Sequence, residues 1–441
     1  MANPFFKYME NNQPGDFRLD VLSSSFIPDS FPHRSEQIDQ MVKALSSVMR
    51  NNRPSNLLLY GKSGTGKTSV ARKVSELLTE AYAESVRIIY LNCQINDSTY
   101  SVLVNMTNSI LPDEKEKIPL SGWTLERVYA FLLSTLKGMD GYVILMLDEI
   151  DKLVQKNGGD SLYPLLRLSD ESISCKTSLI GITNYTSFVE MLDARVRSRL
   201  NQESIIFPSY NASQLRDILQ ERISLASLSS YVDESAVSLC AAIGAREHGD
   251  ARKAIDLMRI AVEIGIRDKI ASINEDHIYQ ARDRYERNIL KESVSGLPLH
   301  SKILLLSAEI TQESEQNQMI TGEIFDNYKK ICDELNIPSL TSRRISDLLS
   351  DLDDIGLIIS TTKSLGRYGR TRLIRVPDND GSIKRYLLED EILGTFKGIK
   401  MGKQHRLKMD PDEVTGQSLS GEKDNYADDI LSSRPEDEDQ A

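Results

Sequence analysis

Residues 56–78 read NLLLYGKSGTGKTSVARKVSELL. An apolar run of strand length enters a glycine-rich turn, and a stretch with apolar residues three and four apart leaves it. Within the turn, Gly61-Lys62-Ser63-Gly64-Thr65-Gly66-Lys67-Thr68 satisfies GxxxxGK[ST] at every position, and Ser69 follows. Glycines let a backbone wrap closely enough to aim successive N–H groups at one anion, and the following helix adds the positive end of its dipole. Lys67 is then placed to reach the β- and γ-phosphates of a nucleotide, and the Thr68 hydroxyl to ligate magnesium. A chance glycine-rich turn has no reason to be flanked by strand and helix in that order.

About 80 residues on, GYVILMLDEIDKL (141–153) is an unbroken apolar strand that ends in Asp148-Glu149. A parallel strand buried on both faces has this pattern, and its carboxyl end is where an open α/β sheet holds ligands. Asp148 is expected to bind Mg²⁺ through water, and Glu149 to polarise an attacking water as general base. A further strand, KTSLIGITN (176–184), ends in Asn184, which in such a sheet stands beside Asp148 and can orient the same water. The implied ligands are ATP or ADP with Mg²⁺, and the fold class is α/β with a parallel sheet.

At 441 residues the chain is long enough for two to four domains, and 40% hydrophobic with 27% charged residues is a globular composition. No apolar run reaches a membrane span, and MANPFFKYMENN lacks the basic-then-apolar order of a secretory leader. Cys93, Cys175, Cys240 and Cys332 form no CxxC and are expected to be buried thiols in a reducing cytoplasm. The net charge of −12 is uneven: residues 409–441 hold eleven acids and two bases and are expected to be disordered. Two acid-free segments precede that tail, KSLGRYGRTRLIRV (363–376) and KGIKMGKQHRLK (397–408), each with five Lys or Arg.

Residues 208–290 carry apolar residues at helical spacing in SQLRDILQERI, ESAVSLCAAIGAREHGD and ARKAIDLMRIAVEIGIR, a pattern for a small helical lid beside the nucleotide. GLPLH (296–300) punctuates the chain. From 299 the order is helix, helix, a third helix beginning near Thr341, and two strand-like pieces, LIIST (357–361) and TRLIRV (371–376). That order predicts a winged helix-turn-helix. Ser342, Arg343 and Arg344 lie on the exposed first turn of the third helix, where a recognition helix meets DNA. Arg367, Tyr368 and Arg370 belong to a glycine-bearing hairpin tip suited to the minor groove or its flanking phosphates. Arg372 and Arg375, on the strand, either flank phosphates or pair within the domain. The organisation expected is an extension at 1–20, a nucleotide domain at 21–207, a lid at 208–294, a winged helix at 296–395, and a basic segment with an acidic tail at 396–441.

The order of these motifs, together with LDARVRSRL (192–200) and GDARKAIDLM (249–258), resembles the AAA+ ATPases. Within them, VLSSSFIPDSFPHRSEQIDQM (21–41), YLNCQINDSTYSVLVNMTNSI (90–110) and FPSYNASQLRDIL (207–219) resemble the archaeal replication-initiator family. That family is akin to the large subunit of the origin recognition complex and to the cell-division-control helicase loader. The resemblance spans roughly residues 20–395. It implies that His33 and Arg34 lie over the adenine, with Phe31 and Pro32 shaping the pocket. It adds Tyr210 and Arg222 to the nucleotide-binding set. It makes Arg199 an arginine finger acting on a neighbouring copy, with Arg195 and Arg197 as alternatives, and Arg252 a lid arginine that contacts phosphates. Family members often have proline where Ala194 stands and an acidic residue where Ser35 stands.

The resemblance also implies that a helical insertion at 94–125 touches DNA. The candidates there are Asn96, Ser98, Thr99, Tyr100, Asn105, Lys115 and Lys117. The reading is an ATP-dependent initiator that binds double-stranded origin DNA, assembles with further copies, and helps load the replicative helicase. It would be cytoplasmic and nucleoid-associated, with slow, switch-type ATP hydrolysis in the monomer because the finger comes from a partner. The alternatives are a clamp-loader-like remodelling ATPase, and a nucleotide-gated regulator that needs Lys67 and Asp148 but not Glu149 or Arg199. A winged helix that binds protein rather than DNA is a third.

Overall fold

The computed structural model describes residues 17–112, 117–171, 174–200, 202–314, 319–364, 370–378 and 380–396. Arg367, Tyr368, the Arg370 side chain, Lys115, the basic 397–408 segment and the acidic tail lie outside the described residues. The chain divides into two compact units at residues 294 and 295.

The first unit is built on β1 (Asn56–Tyr60), β2 (Val86–Asn92), β3 (Gly141–Asp148), β4 (Cys175–Thr183) and β5 (Gln202–Ile206). They form one parallel sheet in the order β2-β3-β4-β1-β5. Period-two alternation sends the apolar runs to both faces. Leu58, Val143, Leu145 and Leu147 join one core, and Leu57, Leu59, Ile144 and Met146 join the other. The first core is closed by α3 (Thr99–Ile110), α4 (Leu125–Lys137), α5 (Ile150–Asn157), α6 (Tyr163–Glu171) and α7 (Ala194–Leu200). The second is closed by α1 (Ser35–Leu45) and α2 (Lys67–Ala81). After β1 the chain crosses to the β2 edge, and after β4 it crosses to β5. The carboxyl ends of β1 and β4 therefore flank a topological switch point, the expected place for a ligand.

The lid of this unit comprises α8 (Ala212–Leu225), α9 (Glu234–Arg246), α10 (Ala251–Asp268) and α11 (Glu275–Ser295). α8 starts on a reciprocal cap between Asn211 and Gln214, and α10 starts on Asp250, whose Oδ1 accepts from the backbone N–H of Arg252 and Lys253. Leu215, Leu219, Cys240, Ile255 and Met258 form its core. Residues 17–26 also belong to that core through Phe17, Leu19, Val21, Leu22 and Phe26. The Arg18 N–H donates to the Ala226 carbonyl at 3.2 Å. This early segment thus packs on helices some 200 residues later in the chain.

The second unit contains α12 (Leu299–Ser314), α13 (Thr321–Glu334), α14 (Ser342–Asp354) and α15 (Ser382–Leu388), with β6 (Met319–Ile320), β7 (Ile359–Ser364) and β8 (Arg370–Arg375). Its sheet is antiparallel in the order β6-β8-β7. β6 and α15 add to the three helices and hairpin expected from sequence. Asn327 Nδ2 donates to Thr311 Oγ1 inside the core, at 2.8 Å, and the Tyr328 hydroxyl accepts from the Leu340 N–H at 3.2 Å, fixing the turn before α14. The four cysteines are buried and unbridged. Among the described residues no helix is long and apolar enough to cross a membrane.

Candidate nucleotide cleft and nucleic-acid interface

The phosphate loop joins β1 to α2, and its shape depends on glycine. Gly64 and Gly66 sit at φ +69° and +89°, where a Cβ is strained. A Cβ on Gly64 would meet Asp250 Oδ1 at 1.8 Å, and one on Gly66 would meet the Tyr210 hydroxyl at 3.1 Å. The lid is thus seated against the loop at both glycines. The Ala251 N–H also donates to the Gly64 carbonyl at 3.1 Å.

Lys67 is buried, and its Nζ donates to the Gly61 and Lys62 carbonyls at 2.8 Å and to Asn184 Oδ1 at 2.9 Å. Burial first, and then the nearby Arg252, push this ammonium down to about 8 against the opposing pull of Asp148, Asp151 and Asp250. Two cations held together at the mouth of a glycine cradle want an anion. Thr68 Oγ1 donates to Asp148 Oδ2 at 2.9 Å, and the Tyr90 hydroxyl donates to the same oxygen at 2.9 Å. The Glu149 N–H reaches Asp148 Oδ1 at 3.0 Å. Glu149 itself is held at φ 53°, ψ 43°, an uncommon conformation for a residue with a side chain. Its Oε2 is shielded from solvent without a hydrogen-bond partner among the described residues. An orphaned carboxylate oxygen beside a fixed aspartate is what a water-polarising base needs, and the cradle, cations and carboxylates fit a magnesium nucleotide.

These groups share one cleft of about 420 Å³, lined also by Ser63, Thr65, Ser69, Tyr210, Arg222 and Arg252. The Arg252 guanidinium is exposed and forms no ion pair among the described residues. Arg222 lies at the wall, with Nη1 and Nη2 donating to the Val21 and Phe26 carbonyls at 2.8 and 3.1 Å. Ile27, Pro28, Phe31 and Pro32 complete the apolar end.

His33 and Arg34 do not line the cleft. Arg34 is fully buried, with its guanidinium donating to the carbonyls of Thr65, His33 and Pro208, and it stacks 3.8 Å from the Tyr210 ring centre. It braces the back of the phosphate loop, and each of its three guanidinium nitrogens donates there. His33 Nε2 is 2.8 Å from Asp217 Oδ2 on the lid. Lys62 Nζ points away from the cleft, to His248 Nδ1 at 3.4 Å. None of Arg195, Arg197 and Arg199 lines the chain's own cleft. Arg197 donates to the Leu192 carbonyl at 2.9 Å, Arg199 pairs with Asp170, and both Arg195 and Arg199 lie over the Tyr163 ring.

In the second unit, Ser342, Arg343 and Arg344 are exposed on the first turn of α14, while Ile345, Leu348, Leu349 and Leu352 bury its opposite face. Arg344 has only a loose ion pair, 3.8 Å to Asp347, and Arg343 has none among the described residues. Arg372 is committed internally, with its guanidinium donating to Ser350 Oγ at 3.0 Å and Asp353 Oδ2 at 3.1 Å. It ties the wing strand to the recognition helix. Arg375 is exposed.

Comparison with known proteins follows the same division. Residues 50–188 match the AAA domain, residues 216–283 the Cdc6 AAA+ ATPase-type lid domain, and residues 292–385 the CDC6 C-terminal winged helix domain. The chain is 52% identical to the ORC1-type DNA replication protein 2 of Thermoplasma acidophilum, over 92% of this chain and 99% of that one. The chain belongs to the ORC1-type DNA replication proteins. It is also 41% identical to the relative from Thermococcus kodakarensis, over 88% and 94% of the two chains. Among solved structures it is similar to Aeropyrum pernix ORC1 in complex with DNA, with TM-score 0.76 and 37% identity over 86% of this chain and 98% of that one. An ORC1-type initiator carries an AAA+ nucleotide-binding domain of the ATPase class and a DNA-binding winged helix. Membership favours the initiator reading over the clamp-loader-like alternative.

Several residues of this initiator's cleft carry no motif signature. Tyr90 and Arg72 line the wall beside Asp148. Asp151 is buried one turn after the acidic pair and accepts from Thr183 Oγ1 at 2.8 Å, which fastens α5 to the strand that presents Asn184. The insertion candidates are largely occupied. Asn105 Nδ2 donates to Asn96 Oδ1, Ser98 caps α3 with Ser101, and Thr99 Oγ1 donates to the Ser161 carbonyl at 3.0 Å. The Tyr100 hydroxyl is buried without a partner among the described residues.

Proposed function

We propose that this ORC1-type protein is an ATP-dependent initiator whose nucleotide state governs its grip on double-stranded origin DNA and, through that, helicase loading. The observation that carries this reading is the convergence of Lys67, Thr68, Asp148, Glu149, Asn184 and Arg252 on one cleft shared by the sheet and the lid. Lys67 and Thr68 open α2, Asp148 and Glu149 stand at the end of β3, Asn184 follows β4, and Arg252 comes from the lid.

In this reading Lys67 leaves the loop carbonyls for the β- and γ-phosphates, regaining a full positive charge as it does so. Thr68 and Asp148 would hold magnesium, which spreads the charge of the transferring phosphoryl group and orders water around it. Glu149 takes a proton from the attacking water, and Asn184 orients that water once Lys67 releases its side chain. Arg252 reports lid closure by engaging the phosphates. Phe31, Pro32, Ile27 and Pro28 flank the base, while Arg34 and His33 hold the walls that shape its pocket. Arg199, or Arg195 beside it, is presented to the nucleotide of a neighbouring copy, Arg199 exchanging Asp170 for a phosphate. Hydrolysis that waits for that neighbour is slow in the monomer and acts as a switch. Ser342, Arg343 and Arg344 dock on the duplex.

A footprint on the cognate genome with and without ATP tests the reading. Discrete protected repeats whose pattern depends on ATP are expected. Uniform coating indifferent to nucleotide would favour a non-specific DNA binder.

A further inference from the structure

The neighbourhood of Asp148 holds two residues that the proposed chemistry has not used. Tyr90 is on β2, the edge strand beside β3, two residues before the Asn92 that stands opposite Asp148 in the ladder. It faces the side of the sheet covered by α2. Its hydroxyl donates to Asp148 Oδ2 at 2.9 Å, the same oxygen that accepts from Thr68 Oγ1 at 2.9 Å. Arg72 is one turn beyond Thr68 on α2, and its guanidinium lies 4.0 Å from the centre of the Tyr90 ring. All four side chains line the cleft.

From this arrangement we infer that Tyr90 is a positioning residue for the metal-site carboxylate, and that Arg72 clamps the Tyr90 ring in place. The inference rests on the reading of Asp148 as a metal-site residue. Among the described residues the Asp148 carboxylate has three donors, and two of them can change during a nucleotide cycle. Thr68 Oγ1 turns a lone pair to the metal when one is present. The Glu149 N–H belongs to the residue at φ 53°, a conformation that releases strain if the turn relaxes. Tyr90 is the donor that neither phosphate nor metal recruits. It therefore keeps Oδ2 oriented while the rest of the site rearranges. Without it the carboxylate can rotate about its terminal torsion, a broad and low barrier, and present the wrong oxygen.

The prediction concerns metal use and leaves the nucleotide's own contacts intact. Partners that orient a ligating carboxylate typically change metal affinity by about 10- to 100-fold. The test is a titration of the full chain with a fluorescent ATP analogue, in EDTA and then in increasing Mg²⁺, for wild type and Tyr90→Phe. Phenylalanine keeps the ring under Arg72 and deletes only the hydroxyl. The inference expects equal affinity in EDTA, an unchanged melting temperature, and a Mg²⁺ half-saturation raised about tenfold in the variant. Mn²⁺, which nitrogen and oxygen ligands bind more tightly, should restore the variant at lower concentration than Mg²⁺. Arg72→Gln should give a smaller shift in the same direction. Superimposable Mg²⁺ curves for wild type and Tyr90→Phe would overturn the inference alone. A wild-type chain with no response to Mg²⁺ would overturn it together with the metal-site reading beneath it.

Discussion

The cleft of the first unit and the recognition helix of the second use cations in opposite ways. In the cleft, Lys67 and Arg222 are buried and tied by backbone carbonyls, as is Arg34 behind the phosphate loop, and each is held in one geometry. On α14, Arg343 and Arg344 are exposed and nearly unpaired. A phosphoryl group must be met by charges fixed within a fraction of an ångström, because catalysis there is positioning and preorganised electrostatics. A DNA backbone is met by mobile charges that release counterions, and small displacements cost little. The second unit nonetheless keeps one fixed arginine, Arg372, at the joint between wing and recognition helix. Among the described residues it also has one buried acid, Glu309, with an unpartnered Oε1.

Substitutions should separate the two regimes. The largest effect is expected in the cleft. Glu149→Gln should lower single-turnover hydrolysis by about 100- to 1,000-fold while leaving nucleotide affinity near wild type, as read by phosphate release and equilibrium binding. Unchanged turnover would remove Glu149 from the chemistry. On the DNA side, Arg343→Ala with Arg344→Ala should weaken duplex binding by about tenfold near physiological salt and flatten the salt dependence by about two units of slope. Anisotropy titrations at several salt concentrations read both, and an unaltered slope would move the contact elsewhere.

The pH responses divide the same way. Lys67 is depressed to about 8 by its burial in the cleft, and a phosphate bound beside it should return it toward its ordinary value. Binding therefore takes up a proton above that pH, and nucleotide affinity should fall as pH rises from about 8 to 10, by up to about tenfold per unit. Lys67→Arg should bind more weakly but with a flat profile.

In the second unit, burial first, then Asp378 and Glu313, raise Glu309 to about 7. Its folded pKa lies above the unfolded one, so the folded state binds the extra proton between them. Stability from this group is full at low pH and is lost as pH rises through 7. Glu309→Gln should abolish that decline, a difference of about 1 to 2 kcal/mol at pH 8 by calorimetry. The smallest effect belongs to Arg372→Ala. It should cost under about 1 kcal/mol of stability, as a partly exposed ion pair does, with DNA affinity changed less than for Arg343 and Arg344.

Much of the cleft was readable from sequence because its determinants are local. Gly61 to Thr68 dictate one loop, and the apolar runs before Asp148 and Asn184 can only be buried strands whose carboxyl ends meet. The destination of Arg34 was not readable. Its partners are the carbonyls of Thr65 and Pro208, one of them 174 residues away, and backbone acceptors have no residue-type signature. Residues 17–26 join the lid core for the same reason, since apolar side chains do not name the surface they cover. Tyr90 reads as an ordinary strand aromatic until the register of β2 against β3 is known. Arg372 had two destinations in the sequence, and Asp353, on the helix it follows, decides between them. Asn96, Ser98 and Asn105 read as free hydrogen-bonding groups and are instead paired within their own turn and helix, while Thr99 donates to the Ser161 carbonyl.

The central claim is that the cleft's nucleotide sets the second unit's hold on DNA. It is tested most directly by the affinity of the full chain for an origin duplex with ATP, with ADP and with neither, in wild type and Lys67→Ala. Wild-type affinity should differ among the three conditions, and Lys67→Ala should stay at the nucleotide-free value in all of them. Identical wild-type and variant affinities in every condition would contradict the account.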